Sequence, residues 1–233
     1  MSVSMGTNVV RVMPTGKHTG TVIFLHGSGD TGQGVREWIK TLLGKDLTFP
    51  NLKLLYPTAP LRPYTPLDGH NSYVWFDRQR ISPDVPEHLE TINSSAEQLS
   101  QLVRNEINDG ILLRNIVIGG FSMGGAMAMH LGYRSLFGIG GVFALSSFLN
   151  DNSIVYKELS NQVGDGHVPP LFMCHGDRDE LVYLSWGQQT FELLKKNGVE
   201  GQFHILKDAF HELKKRELRL LNDWLLERVP IAS

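Results

Sequence analysis

The sequence predicts one α/β domain built on a mostly parallel sheet with helices on both faces. Short apolar runs rich in β-branched residues alternate along the chain with amphipathic segments of helical period. Some of these runs are apolar at consecutive positions, which is typical of strands that are covered on both sides. No linker, repeat or change of composition divides the 233 residues. Residues 1–233 are therefore expected to form a single domain, in which residues 1–18 are an N-terminal strand or extension.

The first half of the chain is predicted to contribute three strands and two helices. The third strand ends at Pro57, and the second helix, which carries apolar residues at helical spacing, ends at Gly110. The predicted strands are 8–12, 21–26 and 52–56, and the predicted helices are 36–43 and 86–109.

The second half continues the alternation and closes with a helix. The run Ile116–Ile118 is short, apolar and β-branched, as expected of a buried strand. The final helix is strongly amphipathic, and Pro230 stops it. The predicted strands are 116–118, 141–146, 171–175 and 202–206, and the predicted helices are 126–131, 151–160, 186–196 and 212–229.

A proline-rich, irregular stretch separates the third strand from the long helix. A loop as long as 57–86 is usually functional or disordered, and its aromatic residues argue against disorder. We expect these aromatic side chains, with one leucine from a later loop, to line a substrate pocket. The candidates are Tyr64, Tyr73, Trp75, Phe76 and Leu181.

Composition excludes several classes of function. A hydrophobic fraction of 41%, a charged fraction of 20% and a net charge of −2 are those of a globular protein with no nucleic-acid surface. No apolar run approaches the roughly 20 residues of a membrane span, so stable membrane insertion is not expected. The one cysteine, Cys174, cannot form an internal disulfide and suits a reducing compartment. We expect a cytoplasmic protein without a metal or a cofactor, as a monomer or a weak dimer.

The stretch 115–131 contains a candidate nucleophile. A β-branched run leads into a glycine-rich turn and then into good helix formers, with Gly120, Ser122 and Gly124 in the pattern GxSxG. Strand, tight turn and helix together are the context of a nucleophile elbow, which needs neighbours without bulk. The backbone N–H of Met123 would lie at a helix N-terminus, where it can face a developing oxyanion.

A base and an acid follow Ser122 at the ends of later predicted strands. His211 follows the strand 202–206, and its unperturbed pKa of about 6.5 suits a general base near neutral pH. Asp177, Asp179 and Glu180 all follow the strand 171–175. We favour Asp179, because the acid must reach across to the histidine rather than sit in the turn beside a glycine. The order of serine, acid and histidine is that of α/β-hydrolases.

The second oxyanion donor should come from the loop after the strand 21–26. The Ser28 N–H is the candidate, since Gly27 and Gly29 let the backbone turn inward. His26 is expected to brace this loop, and Cys174 is expected to be an inert core thiol.

Two other functions compete with a hydrolase. Gly27, Gly29 and Gly32 also fit the dinucleotide fingerprint, but the next strand ends at Tyr56 without the acid that would bind a ribose. A hydrolase scaffold that only binds would have no need of all three triad residue types in order. Both alternatives are therefore disfavoured.

Five ordered motifs resemble the acyl-protein thioesterase family, in its lysophospholipase-like branch, nearly from end to end. They are Phe24–Gly32, Pro57–Pro63, Trp75–Asp77, Gly119–Gly125 and His175–Asp179. The resemblance implies a compact, lidless α/β-hydrolase that cleaves acyl esters and thioesters, including S-palmitoyl cysteine on proteins. It also implies Ser122, Asp179 and His211 as the triad, with the N–H groups of Ser28 and Met123 as the oxyanion hole.

Four positions near the expected site depart from the family pattern. Ser28 stands where the family has leucine, Met123 where it has glutamine, Glu180 where it has proline, and Glu212 where it has a small polar residue. Three of these changes, at Ser28, Glu180 and Glu212, put polar groups where a long acyl chain needs apolar ones. We therefore expect activity on short acyl chains, with long-chain lysophospholipase or palmitoyl-protein thioesterase activity as the alternative.

Overall fold

The computed structural model describes residues 8–161 and 167–230. The strands are β1 (Val9–Val12), β2 (Gly20–Leu25), β3 (Leu52–Pro57), β4 (Leu61–Pro63), β5 (Asn71–Tyr73), β6 (Ile116–Phe121), β7 (Gly141–Leu145), β8 (Leu171–Gly176) and β9 (Gly201–Leu206). The helices are α1 (Gly32–Leu43), α2 (Leu89–Asn108), α3 (Met123–His130), α4 (Ile154–Ser160), α5 (Leu184–Lys196) and α6 (Lys215–Arg228). The first seven residues of the expected N-terminal extension lie outside the described residues.

Seven strands form one twisted sheet in the order β1-β3-β2-β6-β7-β8-β9. All neighbours run parallel except β1, which is antiparallel to β3. Residues near the carboxyl ends of the strands pair across the sheet as Leu25 with Gly120, Phe121 with Leu145, and Gly176 with Leu206. The loops that follow β2, β6, β7, β8 and β9 therefore meet at one edge, as the predicted fold requires.

Helices cover both faces of the sheet, which confirms the predicted fold class. Alternate residues along β2 point to opposite faces, so Ile23 packs in one apolar cluster and Phe24 in the other. The first cluster takes side chains from α2, α3, α4 and α5, and the second takes them from α1 and α6. Cys174 is fully buried in the second cluster, where burial raises the pKa of its thiol.

The strand before Ser122 is longer than the sequence predicted, because it continues through two glycines to Phe121. A Cβ atom on Gly119 would lie 2.1 Å from the ring of Phe143 on β7. Glycine is therefore required here for β7 to carry a phenylalanine on this face.

The loop 57–86 contains a short antiparallel hairpin of β4 and β5 that the sequence did not predict. Helix α2 begins at Leu89, later than expected, and the Glu87 side chain before it accepts a hydrogen bond from the Ile154 N–H at 3.0 Å. Helix α6 begins at Lys215, which leaves His211 in a loop.

Within residues 8–161 and 167–230 no elements form a separate lid, and no helix is long and apolar enough to cross a membrane.

Candidate active site

Three residues that are distant in sequence meet at the carboxyl edge of the sheet. Ser122 follows β6, Asp179 follows β8 and His211 follows β9. The Nε2 atom of His211 lies 3.0 Å from Oγ of Ser122, and its Nδ1 atom lies 2.7 Å from Oδ2 of Asp179. The structure therefore joins the predicted serine, base and acid in one hydrogen-bonded chain.

The backbone of Ser122 is in a rare conformation, with φ 53° and ψ −120°. A non-glycine residue with positive φ is strained, and such strain is concentrated at functional sites. The Ser122 N–H donates to the Leu145 carbonyl at 2.8 Å, and the Ser147 hydroxyl donates to the Ser122 carbonyl at 2.7 Å. These two bonds to the end of β7 and the residues after it hold the turn in place.

The two glycines that flank this turn allow strand and helix to approach each other. A Cβ atom on Gly120 would lie 2.3 Å from the carbonyl oxygen of Leu25, and one on Gly124 would lie 2.2 Å from the same oxygen. Any side chain at either position would therefore push β2 away from β6 and α3. This is the steric requirement from which the sequence motif predicted an elbow.

The Asp179 carboxylate is buried and fully hydrogen-bonded. Its Oδ1 atom accepts the N–H groups of Leu181 at 3.1 Å and Val182 at 2.8 Å, while Oδ2 faces His211. Burial acts to raise the pKa of Asp179, but hydrogen bonds from His175, His211 and Val182 outweigh burial and hold it well below its usual range. The carboxylate is therefore ionised at neutral pH and able to orient the histidine.

The competing acids do not face His211. Asp177 accepts the N–H of Asp208 at 2.7 Å through Oδ1, so it ties the loop after β8 to the loop after β9. Glu180 is exposed at the surface. Of the three predicted alternatives, Asp179 is the one in contact with the base.

The loop after β2 passes directly beside Ser122. A Cβ atom on Gly27 would lie 3.5 Å from Cβ of Ser122, which brings the next residue, Ser28, to the edge of the serine. Met123 is the first residue of α3. Among the described residues, neither Ser28 nor Met123 donates its backbone N–H to another backbone group.

His26 braces this loop, as the sequence predicted. Its Nε2 accepts the Ala59 N–H at 2.9 Å, so Nδ1 carries the proton and donates to the Gly27 carbonyl at 2.6 Å. Burial lowers the pKa of His26, so the ring is neutral. On the outer side the Gly29 N–H donates to the Tyr73 carbonyl at 2.9 Å.

The five candidate pocket residues take different positions. Trp75 has no exposed surface, and its Nε1–H donates to the His26 carbonyl at 2.9 Å, so it supports the loop from beneath. Tyr64 and Phe76 are also buried, and Tyr73 is partly exposed. Leu181 is 48% exposed and follows the acid by two residues.

Sequence reasoning missed two supporting residues, Ser147 and His175. His175 is fully buried at the end of β8, and its Nε2 lies 3.5 Å from Oδ2 of Asp179. His175 could have been found from its position, because it lies near the carboxyl end of the strand that leads to Asp179. Ser147 carried no sequence signal, because its bond is to a backbone carbonyl.

Comparisons with known proteins agree with this fold and site. A family model described as Phospholipase/Carboxylesterase matches residues 7–227. Lysophospholipase-like protein 1 of Mus musculus is 55% identical over 219 residues, which cover 94% of this chain and 91% of the mouse protein. Acyl-protein thioesterase 1 of Neurospora crassa is 34% identical over 223 residues, 92% of this chain and 89% of the fungal protein.

A solved structure shows the same architecture. Zea mays acyl-protein thioesterase 2 superposes with a TM-score of 0.78 at 28% identity, covering 95% of this chain and 98% of the maize chain. These matches confirm the resemblance inferred from the five sequence motifs, and they leave no support for a dinucleotide-binding protein. The chain belongs to the phospholipase/carboxylesterase family of α/β-hydrolases.

Proposed function

We propose that the protein is a serine hydrolase that cleaves acyl esters and thioesters through an acyl-enzyme. In this proposal Ser122 is the nucleophile, His211 the general base and Asp179 the acid that orients the base. The observation that carries it is the continuous hydrogen-bonded chain from Ser122 Oγ through the His211 ring to the buried carboxylate. Relatives that are named as thioesterase and lysophospholipase-like proteins support the same substrate class.

Acylation begins with attack of the Ser122 oxygen on the substrate carbonyl carbon. The Ser122 proton passes to Nε2 of His211, because the carboxylate of Asp179 at 2.7 Å keeps the other ring proton on Nδ1. The same carboxylate stabilises the imidazolium that forms. When the tetrahedral intermediate collapses, the carbon–sulfur or carbon–oxygen bond breaks and the departing thiol or alcohol takes the proton from Nε2.

The charge that develops on the carbonyl oxygen needs donors that are already in place. The backbone N–H groups of Ser28 and Met123 are our proposed oxyanion hole, since both border Ser122 and neither is used by the surrounding backbone in the described residues. Because both donors are backbone groups, the departures from the family side chains at 28 and 123 leave the mechanism unchanged.

Deacylation repeats the steps with water. His211 takes a proton from a water molecule, whose oxygen attacks the acyl carbon, and then returns a proton to Ser122 Oγ as the carboxylic acid leaves. The products are a carboxylic acid and the thiol or alcohol released earlier.

We propose that the preferred acyl chains are short. Ser28, one of the two proposed oxyanion donors, carries a hydroxyl, and the side chains of Tyr64, Phe76 and Phe148 are buried, with the Arg78 guanidinium stacked on the two phenylalanine rings. A long alkyl chain gains about 0.8 kcal/mol for each methylene that it buries, but it gains nothing where it cannot enter or where it would meet a charge.

A long-chain substrate is the second candidate, and one observation favours it. Leu181 and Phe210 are 48% and 49% exposed and adjoin the acid and the base along the chain. Exposed apolar side chains beside a site can hold part of a lipid or an S-acylated protein on the surface. A chain-length series separates the two candidates.

We also propose that the enzyme acts in the cytoplasm as a monomer or a weak dimer, on small or protein-bound acyl groups. The single cysteine is buried, which suits a reducing compartment.

The proposed function is tested with Ser122→Ala and p-nitrophenyl esters matched to thioesters of the same acyl group. The variant should keep the circular dichroism spectrum and lose turnover of both substrate types. Turnover close to that of the unsubstituted protein would overturn the proposal.

A further inference from the structure

One cation among the described residues, Arg78, has no carboxylate in ion-pair contact. Arg78 lies in the loop after β5, and its Cζ atom stacks 4.9 Å from the centroid of the Phe76 ring and 5.7 Å from that of Phe148. Stacking on two rings holds the guanidinium in one position and removes much of its water.

One hydrogen-bonding group of this guanidinium is buried and unused. Among residues 8–161 and 167–230, Arg78 forms no ion pair, and its buried Nε has no hydrogen-bond partner. The adjacent carboxylate of Asp77 instead binds Thr65, through its N–H at 2.8 Å and its hydroxyl at 2.7 Å. Arginine stays charged under these conditions, so the site holds a positive charge on which Asp77 acts from a distance, without forming an ion pair.

Two chain neighbours of the stacked rings connect this charge to the surroundings of Ser122. Phe148 follows Ser147, which is hydrogen-bonded to the Ser122 carbonyl. Phe76 follows Trp75, which is hydrogen-bonded to His26 at the start of the loop that carries Ser28.

The Tyr64 hydroxyl supports this placement. It is buried without a hydrogen-bond partner in the described part of the chain. Burial raises the pKa of Tyr64, while the positive charge of Arg78 and the Ser28 hydroxyl, which is nearby but not aligned for a hydrogen bond, both act to lower it. Arg78 and Ser28 therefore both lie near the Tyr64 hydroxyl.

We propose that Arg78 is a specificity-determining residue that binds a carboxylate carried by the substrate. The proposal rests on the proposed function, and it adds that the preferred ester or thioester substrate carries a negative charge. The carboxylate could stand at the far end of a short acyl group or on the leaving group, and the chemistry of recognition is the same. A guanidinium presents parallel N–H donors that match the two oxygens of a carboxylate, and two aromatic rings exclude competing water.

The test uses two pairs of substrates, each differing only in charge. On the acyl side, p-nitrophenyl hydrogen adipate is compared with the neutral p-nitrophenyl adipamate. On the leaving-group side, the butyrate ester of para-hydroxybenzoate is compared with that of para-hydroxybenzamide. The protein variants are Arg78→Met, which keeps a flexible stem against the rings, and Arg78→Lys, which keeps the charge without the fork. Arg80→Met is the matched control, because Arg80 is exposed and pairs with Asp84.

The quantity measured is the ratio of kcat/KM for the charged substrate to that for its neutral partner. We expect the unsubstituted protein to favour the carboxylate in one pair, and Arg78→Met to lower that ratio by about 10- to 100-fold. Arg78→Lys should lower it less, and Arg80→Met should leave it unchanged. The pair that responds identifies whether the acyl group or the leaving group carries the carboxylate.

Ratios that do not respond to either Arg78 variant, in both pairs, would overturn the inference. If Arg78→Met fails to fold, as shown by circular dichroism, the ratio in Arg78→Lys decides. Failure of the proposed function looks different, because the unsubstituted protein would then hydrolyse neither neutral ester.

Discussion

The Nε2 atom of His175 lies 3.5 Å from Oδ2 of Asp179, the same oxygen atom that His211 contacts. His175 is fully buried, and its Nε2 also lies 2.8 Å from the carbonyl of Val182. The N–H of Val182 in turn donates to Oδ1 of Asp179. His175 therefore holds both the carboxylate and the loop that carries it, which makes it a positioning residue for the proposed acid.

We expect His175→Gln to lower kcat by about 10²-fold with little change in KM, because a displaced Asp179 would no longer align the base in the transition state. Steady-state kinetics with a short p-nitrophenyl ester measures this. In an Asp179→Asn background the same substitution should cost much less, since the residue it positions is already disabled. Losses that simply multiply would show that His175 acts by another route.

The three candidate acids are separated by substitution to the amide. Asp179→Asn should lower kcat by about 10³–10⁴-fold, because the amide leaves His211 in the wrong tautomer. Asp177→Asn and Glu180→Gln should cost far less, since neither side chain contacts His211. The kcat of each variant is compared at equal unfolding midpoints. A larger loss in Asp177→Asn than in Asp179→Asn, at unchanged stability, would mean that the wrong carboxylate has been assigned.

Stability should fall with rising pH because of one buried carboxyl group. Glu217 is fully buried in α6, and burial raises its pKa to about 8, against the opposing effect of the Lys214 N–H at 3.3 Å. Between the unfolded pKa of 4.5 and the folded value of about 8, the folded state binds more protons than the unfolded state. The free energy of unfolding therefore decreases across this window.

Glu217→Gln should remove this pH dependence. The quantity compared is the free energy of unfolding of the variant minus that of the unsubstituted protein. This difference should increase by about 2–4 kcal/mol from pH 5 to pH 8. Urea denaturation at several pH values measures the difference, and Glu227→Gln, at an exposed position of the same helix, is the control. A difference between variant and unsubstituted protein that is the same at both pH values would show that Glu217 is ionised in the fold.

The chain-length dependence of kcat/KM should have a maximum at short acyl groups of about two to eight carbons. In an open apolar groove, eight further methylenes would add about 6 kcal/mol of binding and produce a steep rise. A series of p-nitrophenyl esters below their critical micelle concentrations measures this. A steady climb to palmitate would favour the long-chain candidate, with Leu181 and Phe210 as its apolar surface.

Much of the fold and of the candidate site followed from local signals in the sequence. Apolar β-branched runs predicted the seven strands of the main sheet, because a strand covered on both faces must be apolar at consecutive positions. Ser122, Asp179 and His211 could be selected because parallel strands bring their carboxyl ends to one edge, so residues just after strands become neighbours.

Other features depend on contacts that sequence patterns do not encode. The β4–β5 hairpin is too short and too rich in proline to show strand periodicity. Trp75 was expected to line a pocket, but its position is set by a hydrogen bond to the His26 carbonyl far away in sequence. That Arg78 forms no ion pair within residues 8–161 and 167–230 could not be inferred, because ion pairing is a property of the packed structure.

The central claim is that Ser122 is the residue that becomes acylated, and its most direct test is covalent labelling. A fluorophosphonate should modify the protein once, with the adduct mapped by mass spectrometry to the peptide that contains Ser122, and His211→Ala should slow the labelling by removing the base. The Ser122→Ala variant should take up no label at the site. An adduct on another residue, or undiminished labelling of Ser122→Ala, would contradict the account.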